Sequence, residues 1–259
     1  MKVTTQSIRA LKGKRPIVAV TAYDFTTARR ASEAGVDLIL VGDTLGTTVL
    51  GMETTVPVTL EMMLHHTAAV VRARPDALVV MDLPFPEIHR DEGRVLDACA
   101  RALQEAGAAA VKLEGGVAVA GRIARLISAG IPVLAHVGLL PQRINEIGGY
   151  RKYGKTPEEA EALLADALAV EQAGAFAMVA EMVDAGCARK LTKELKAPVI
   201  GIGSGADCDG QILVSHDLLG LTVGRTPSFV KRYAELGDAV GDAFKRYADE
   251  VRDGRFPEK

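Results

Sequence analysis

The sequence predicts an α/β fold: one domain, a closed (β/α)8 TIM barrel over residues 1–259, with an amphipathic helix at its C-terminal end. Three observations predict it. Eight short apolar runs recur along the chain. Nearly all are followed by a helix-like stretch that stops at Ala-Gly or Gly. The length of 259 residues suits eight such units. Near-continuous apolar strands alternating with helices imply a parallel sheet covered on both faces. No Gly-x-Gly-x-x-Gly follows the first run, which argues against an open dinucleotide-binding sheet.

A short helix over residues 7–11 leads into a basic turn at 12–16 and a β-branched run at 17–21, the first strand. Asp24 caps a helix that stops at Ala34-Gly35. The second strand, 36–41, ends in Gly42-Asp43-Thr44-Leu45-Gly46. A loop through Gly51 and Pro57 follows, then a helix from Thr59 to about Arg72. Residues 77–81 make the third strand, which ends at Asp82-Leu83-Pro84-Phe85. A helix over 92–105 stops at Gly107, and the fourth strand, 108–114, runs out in Lys112-Leu113-Glu114 before two glycines.

Helix 117–128 stops at Gly130, and strand five, 131–135, ends at His136. After a glycine-rich loop, Thr156-Pro157-Glu158-Glu159 reads as cap, proline at the first helical position and acidic first turn. Strand six, 175–180, ends at Glu181. A helix over 187–196 precedes strand seven, 198–202, whose Gly203-Ser204-Gly205 is either a phosphate cradle or a tight turn. Strand eight is 211–214, and Tyr233, Leu236, Val240, Phe244, Tyr247 and Val251 recur at helical spacing.

Composition bounds the partners. Hydrophobic residues make up 48% and charged residues 25%, as in a soluble globular protein. A net charge of −2 without a basic stripe excludes an electrostatic nucleic-acid surface. Trp is absent and aromatics total 4%, so Ala, Val, Leu and Ile must fill the core. Cys99, Cys187 and Cys208 are scattered and lack CxxC spacing, which favours reduced thiols in a cytoplasmic protein over disulfides or zinc. The first residues carry no apolar targeting core, and no run is long enough to span a membrane.

The polar strand ends gain their meaning from the fold. A period of two puts Lys112 and Glu114 on one face of their strand and Val111 and Leu113 on the other. Alone, that is an ordinary ion pair, and a lone acid at a strand end is an ordinary helix cap. A barrel, however, gathers its strand ends at one mouth, where Asp43, Asp82, Lys112 with Glu114, His136 and Glu181 would meet. Asp43, Asp82 and Glu114 are hard oxygen ligands, suited to Mg²⁺ rather than zinc. Such an ion can chelate a 2-oxo acid and stabilise the enolate formed when its neighbouring carbon loses a proton. Lys112 would face the substrate anion, with Glu181 or His136 as base. His65-His66 and Met62-Met63 fall inside a helix and read as structural.

These motifs resemble the ketopantoate hydroxymethyltransferase family over nearly the whole chain. The resemblance rests on Thr21-Ala22-Tyr23-Asp24, residues 41–46, Pro57-Val58-Thr59, residues 66–70, Asp82-Leu83-Pro84-Phe85 and residues 111–116. It extends through His136-Val137-Gly138-Leu139, Pro141-Gln142, Gly148-Gly149-Tyr150 and residues 198–205, 209–214 and 216–220. It implies a barrel of the phosphoenolpyruvate-mutase/isocitrate-lyase type, Mg²⁺-dependent, decameric, and using 5,10-methylenetetrahydrofolate to hydroxymethylate 3-methyl-2-oxobutanoate to 2-dehydropantoate, in pantothenate biosynthesis. On the matching positions it implies a metal site of Asp43, Asp82 and Glu114. Asp43, Thr44, Asp82, Lys112 and His136 would bind substrate, and Glu181 would accept the proton. The chain departs from the family pattern at Thr44 (usually Ser), at residues 86–90 and at residues 183–186. The alternative reading is a Mg²⁺-dependent carbon–carbon lyase or aldolase acting on a related 2-oxo acid without folate. A third is a non-catalytic barrel that only binds metal and a small acid or scaffolds an oligomer, which the intact set of acids argues against.

Overall fold

The computed structural model describes residues 2–258. The order opens with α1 (Thr5–Arg9), β1 (Ile17–Thr21), α2 (Phe25–Glu33), β2 (Leu38–Val41), α3 (Leu45–Thr48) and α4 (Leu60–Arg72). It continues with β3 (Leu78–Asp82), α5 (Phe85–Ile88), α6 (Glu92–Gln104), β4 (Ala110–Glu114) and α7 (Val117–Ser128). Next come β5 (Val133–Gly138), α8 (Ile144–Ile147), α9 (Pro157–Gln172), β6 (Ala177–Glu181) and α10 (Ala185–Glu194). The last elements are β7 (Val199–Ile202), β8 (Gly210–Leu213), α11 (Ser215–Leu218) and α12 (Leu236–Arg252). The eight strands close into a barrel in sequence order, as expected. Each successive pair from β1 to β8 is parallel. The Ile17 N–H donating to the Asp209 carbonyl at 2.9 Å joins the first and last strands.

The main helices start where side chains can cap them. Asp24, Thr59, Asp91 and Thr156 each accept a backbone N–H of the first turn. β1 starts where its apolar run does, β2 to β7 start one or two residues later than theirs and β8 one residue earlier, and β3, β5 and β6 run on through Asp82, Gly138 and Glu181. The reason is that polar side chains at the strand ends turn inward and are themselves buried, so pairing continues past the last apolar residue.

The chain divides into two compact units, one through Ile212 and one from Leu213. In the first, strand alternation makes two cores. Leu38, Leu40, Val80, Ala110, Leu134, Val179 and Ile200 fill the barrel interior, with Ile8 of α1 among them. Ile39, Val41, Met81, Val111, Leu113, Ala135 and Ala180 face the helix layer. Met63 lies in that outer core and Met62 packs against it, as expected of filler. At the N-terminal face the polar groups close the seam. Arg15 forks onto Asp37 at 2.6 and 2.8 Å, and Asp37 also accepts the Val18 N–H. Lys12 pairs with Asp209, which accepts the Val199 N–H.

In the second unit, α11 and α12 are tied through Tyr233, Leu236 and Gly237, whose N–H groups donate to the carbonyls of Leu218, Leu219 and Gly220. The helix expected from the apolar spacing is α12, and its Val240, Phe244 and Tyr247 are exposed. All three cysteines are free thiols. Among the described residues, no helix is long and apolar enough to cross a membrane.

Candidate active site

Inward parity selects the site. Counting back by two from Asp82, Glu114, His136 and Glu181 reaches Val80, Lys112 with Ala110, Leu134 and Val179, all on the barrel's inner face. Register then sets these ends side by side: Asp82 opposite Lys112, Glu114 opposite His136, and Gly138 opposite Glu181. Asp43 reaches the same place from the turn after β2, and its N–H points at Asp82 Oδ2, 3.4 Å away.

The side chains meet as the strand-end argument expects. Lys112 Nζ donates to Asp82 Oδ2 at 2.7 Å and to Glu114 Oε1 at 3.2 Å. His136 stands between two acids, Nδ1 3.5 Å from Glu114 Oε1 and Nε2 3.5 Å from Glu181 Oε2. Asp43, Asp82, Lys112, Glu114 and His136 are all buried. Glu181 keeps 16% of its side chain exposed against 3% for Glu114, so of this pair it is the acid open to an incoming molecule.

Asp43, Asp82 and Glu114 each offer a carboxylate oxygen within 4.8 Å of the others'. This buried triad has the donor chemistry of a hard-cation site. Burial pushes the Asp43 carboxyl well up, and Asp82 and Glu114 push it further. Burial also raises Asp82, although Lys112 opposes it. Burial would lift Glu114 too, but Lys112 and His136 outweigh that and hold it below its ordinary value. Burial alone would depress Lys112, and Asp82, Glu114 and Asp43 together raise it instead, so the ammonium stays charged. Asp82 Oδ1 is buried and has no hydrogen-bond partner among the described residues. An orphaned carboxylate oxygen within a like-charged cluster is what a divalent cation would satisfy. The residues fit the metal.

Glu181 is pushed up to about 7, by burial first and by Glu114 and Asp82, against the opposing pull of His136 and Lys112. Its backbone position is enforced. Met182, the next residue, is a non-glycine held at φ 50. Ser204 Oγ donates to the Ala180 carbonyl at 2.7 Å and accepts the Val183 N–H at 3.0 Å, bracketing Glu181 and Met182. Gly138 is required beside them, since a Cβ there would lie 2.3 Å from the Glu181 carbonyl oxygen. In the Gly203-Ser204-Gly205 stretch the Ser204 hydroxyl is used within the chain, to clamp β6.

The three departures from the family pattern are absorbed locally. Thr44 Oγ1 hydrogen-bonds the buried Tyr23 hydroxyl at 2.7 Å. In residues 86–90, Ile88 is buried in the outer core and Arg90 pairs with Glu87 at 2.8 Å. Asp184 caps α10 by accepting the Gly186 N–H. His65 is exposed, whereas His66 Nδ1 lies 2.7 Å from the Tyr23 carbonyl, which is a structural role.

Two residues of the site escape reasoning from strand ends, Ser204 and Gln142. Gln142 lies in a 3-10 turn after β5, donates its side-chain amide to Asp43 Oδ2 at 2.9 Å, and donates its N–H to Glu114 Oε2 at 3.2 Å. An uncharged loop residue gives no sign in the sequence that the loop folds over the mouth.

The sequence profile of the family described as ketopantoate hydroxymethyltransferase matches residues 2–259. A 3-methyl-2-oxobutanoate hydroxymethyltransferase of Chloroflexus aurantiacus is 52% identical over 259 residues, covering 99% of this chain and 91% of the relative. The enzyme of that name in Thermus thermophilus is 51% identical over 257 residues, covering 99% and 98%. Among solved structures, a phosphoenolpyruvate phosphomutase of Streptomyces platensis subsp. rosaceus superposes with a TM-score of 0.65 over 97% of this chain and 88% of that one. At 18% identity it speaks for the fold alone.

Proposed function

This chain belongs to the ketopantoate hydroxymethyltransferase family, and from that premise we propose how its own residues perform the transfer. It is an enzyme of pantothenate biosynthesis that takes 3-methyl-2-oxobutanoate to 2-dehydropantoate, with 5,10-methylenetetrahydrofolate as one-carbon donor and Mg²⁺ as metal. The observation that carries the reading is the convergence of a buried acidic triad with a raised, accessible Glu181.

Asp43, Asp82 and Glu114 hold the cation. When bound, it supplies Lewis-acid stabilisation of negative charge on the substrate oxygens. Lys112, kept charged by its acid neighbours, attracts the substrate carboxylate, and Asp43, Thr44, Asp82 and His136 line the pocket. Glu181 takes the proton from C3 of the 2-oxo acid. A carboxyl held up to about 7 is a better base than an ordinary carboxylate and is still substantially ionised near neutrality. The carbon that loses its proton then forms the new bond to the methylene carbon, whose two bonds to the folate nitrogens break; water supplies the hydroxyl, the proton passes to the departing nitrogen, and tetrahydrofolate leaves. His136, in contact with Glu181 and Glu114, orients the base and links it to the triad. The enzyme acts in the cytoplasm on small molecules, as a homo-oligomer in which the exposed apolar residues of α12 make contacts between copies.

Two assays test this. Deuterium exchange at C3 of 3-methyl-2-oxobutanoate should require Mg²⁺ and Glu181; exchange that persists in Glu181→Gln would remove Glu181 as base. Net product should form only when methylenetetrahydrofolate is added, and product formed without it would favour the aldolase reading.

A further inference from the structure

Gln142 is buried and uses its side chain in two directions. Nε2 donates to Asp43 Oδ2 and to the Leu83 carbonyl, both at 2.9 Å. Both neighbours are acceptors, so the amide nitrogen, not its oxygen, must face them, and both of its N–H bonds are spent. A glutamate of the same size would have no donor for either.

The effect appears when the three carboxylates are counted oxygen by oxygen. Asp43 Oδ2 is taken by Gln142. Asp82 Oδ2 is taken by Lys112 and approached by the Asp43 N–H. Glu114 has both oxygens engaged, Oε1 by Lys112 and Oε2 by the Gln142 N–H. Among the described residues, that leaves Oδ1 of Asp43 and Oδ1 of Asp82 without a donor, one oxygen from each aspartate for direct contact, with Glu114 left to hold the ion through a water. Calcium takes six to eight oxygens and often both oxygens of a carboxylate. Magnesium takes few protein oxygens, one per carboxylate, and keeps several waters.

We propose that Gln142 is a positioning residue that sets the metal preference of this centre: by holding Asp43 through Oδ2 it denies the cation a two-oxygen grip and favours a small ion of magnesium size over calcium. The inference rests on the metal role given above to Asp43, Asp82 and Glu114. Gln142 spends both of its side-chain N–H bonds on Asp43 and Leu83. It acts through Asp43, and its backbone hold on Glu114 survives any change of side chain.

The test is metal competition on the full chain. Mg²⁺ and Ca²⁺ are each titrated against bound Mn²⁺, with free Mn²⁺ read by electron paramagnetic resonance, so no turnover is needed. Gln142→Met keeps the length and removes both donors. Gln142→Glu keeps the shape and adds an oxygen beside Asp43. In both, the ratio of Mg²⁺ to Ca²⁺ affinity should fall by about tenfold or more, the scale on which residues behind a metal ligand act. A merely structural role would weaken both ions alike and leave the ratio in place. An unchanged ratio in a variant whose circular dichroism matches the wild type would overturn the proposal, and Gln142→Glu decides alone if Gln142→Met does not fold. A wild-type chain that binds none of the three ions would overturn the metal reading and this proposal with it. Wild-type binding with an unchanged ratio in the variants would overturn this proposal only.

Discussion

Glu181 is held in a state that costs the fold something and that suits the base we propose it to be. Its carboxyl stands at about 7, up from an ordinary 4.5, so the folded chain holds this proton more tightly than the unfolded one. The sign of the linkage follows. Glu181 does not oppose folding below about pH 4.5, and its opposition grows as pH rises from there to 7 and then levels off, at about 3 kcal/mol by pH 8. Replacing it by the neutral isostere removes that opposition. Glu181→Gln should therefore melt higher than wild type at pH 8, by roughly 2–4 °C for each kcal/mol recovered, and close to wild type at pH 4. Calorimetry at the two pH values decides it, and an equal gain at both would mean that charge is not the cause. The same variant should lose about 10²–10⁴-fold in turnover. In the wild type, kcat/KM should fall as pH drops through about 7, because the base must be ionised to act.

At the level of elements, the end of β6 shows how that carboxylate is aimed. The turn at Met182 lies in the left-handed region, which costs a non-glycine residue about 1–2 kcal/mol, and the Ser204 hydroxyl secures it from β7. Ser204→Ala would leave the Val183 N–H unpaired in a buried place and take from the Ala180 carbonyl its side-chain donor, at a cost of about 1–3 kcal/mol. Its expected signature is a lowered melting midpoint together with a fall in kcat that leaves KM for the 2-oxo acid nearly unchanged; a changed KM with normal kcat would place Ser204 in binding instead. This element also marks the limit of what the sequence discloses. The inward parity of Lys112 and Glu114 is legible because a strand's period is fixed, and charges two residues apart on an apolar strand stand out. Glu181 is legible for the same reason. Ser204 and Gln142 are not, because they act through hydrogen bonds across turns whose path no local periodicity encodes. Between two glycines, Ser204 reads equally well as a ligand loop, and Gln142 is one uncharged residue in a loop of mixed character, between Leu140-Pro141 and Arg143-Ile144. The boundaries of β3, β5 and β6 moved outward for a related reason: apolarity marks where a strand is greasy, whereas pairing continues as far as the polar ends find partners inside.

On the scale of the whole molecule, a nearly neutral chain concentrates uncompensated charge at one place. The net charge is −2, and at the N-terminal face the buried Asp37 and the partly buried Asp209 each have a cation of their own, Arg15 and Lys12. At the mouth, Asp43, Asp82 and Glu114 share the single ammonium of Lys112. The first arrangement is complete without any added ion and closes the barrel. The second leaves a deficit of positive charge that a divalent cation would fill. In the proposed mechanism Lys112 is both part of the charge balance and a contact for the substrate, so the expected separation, with Glu114 toward the metal and Lys112 toward the substrate, would not be clean. Lys112→Ala removes the one resident cation from three buried carboxylates, a loss of about 3–5 kcal/mol for a broken buried pair. Mg²⁺ at a hundredfold excess over its Kd would return about 2.7 kcal/mol by mass action. Because the site is more negative without Lys112, the cation should bind the variant more tightly and raise its melting midpoint by more than it raises that of the wild type. Midpoints of both proteins measured with EDTA and with saturating Mg²⁺ supply the comparison, and a smaller shift in the variant would mean that Lys112 helps to build the metal site rather than competing with the ion for its charge. The KM for 3-methyl-2-oxobutanoate should rise in the Mg²⁺-loaded variant, since the cation restores the charge balance but not the contact with the substrate carboxylate.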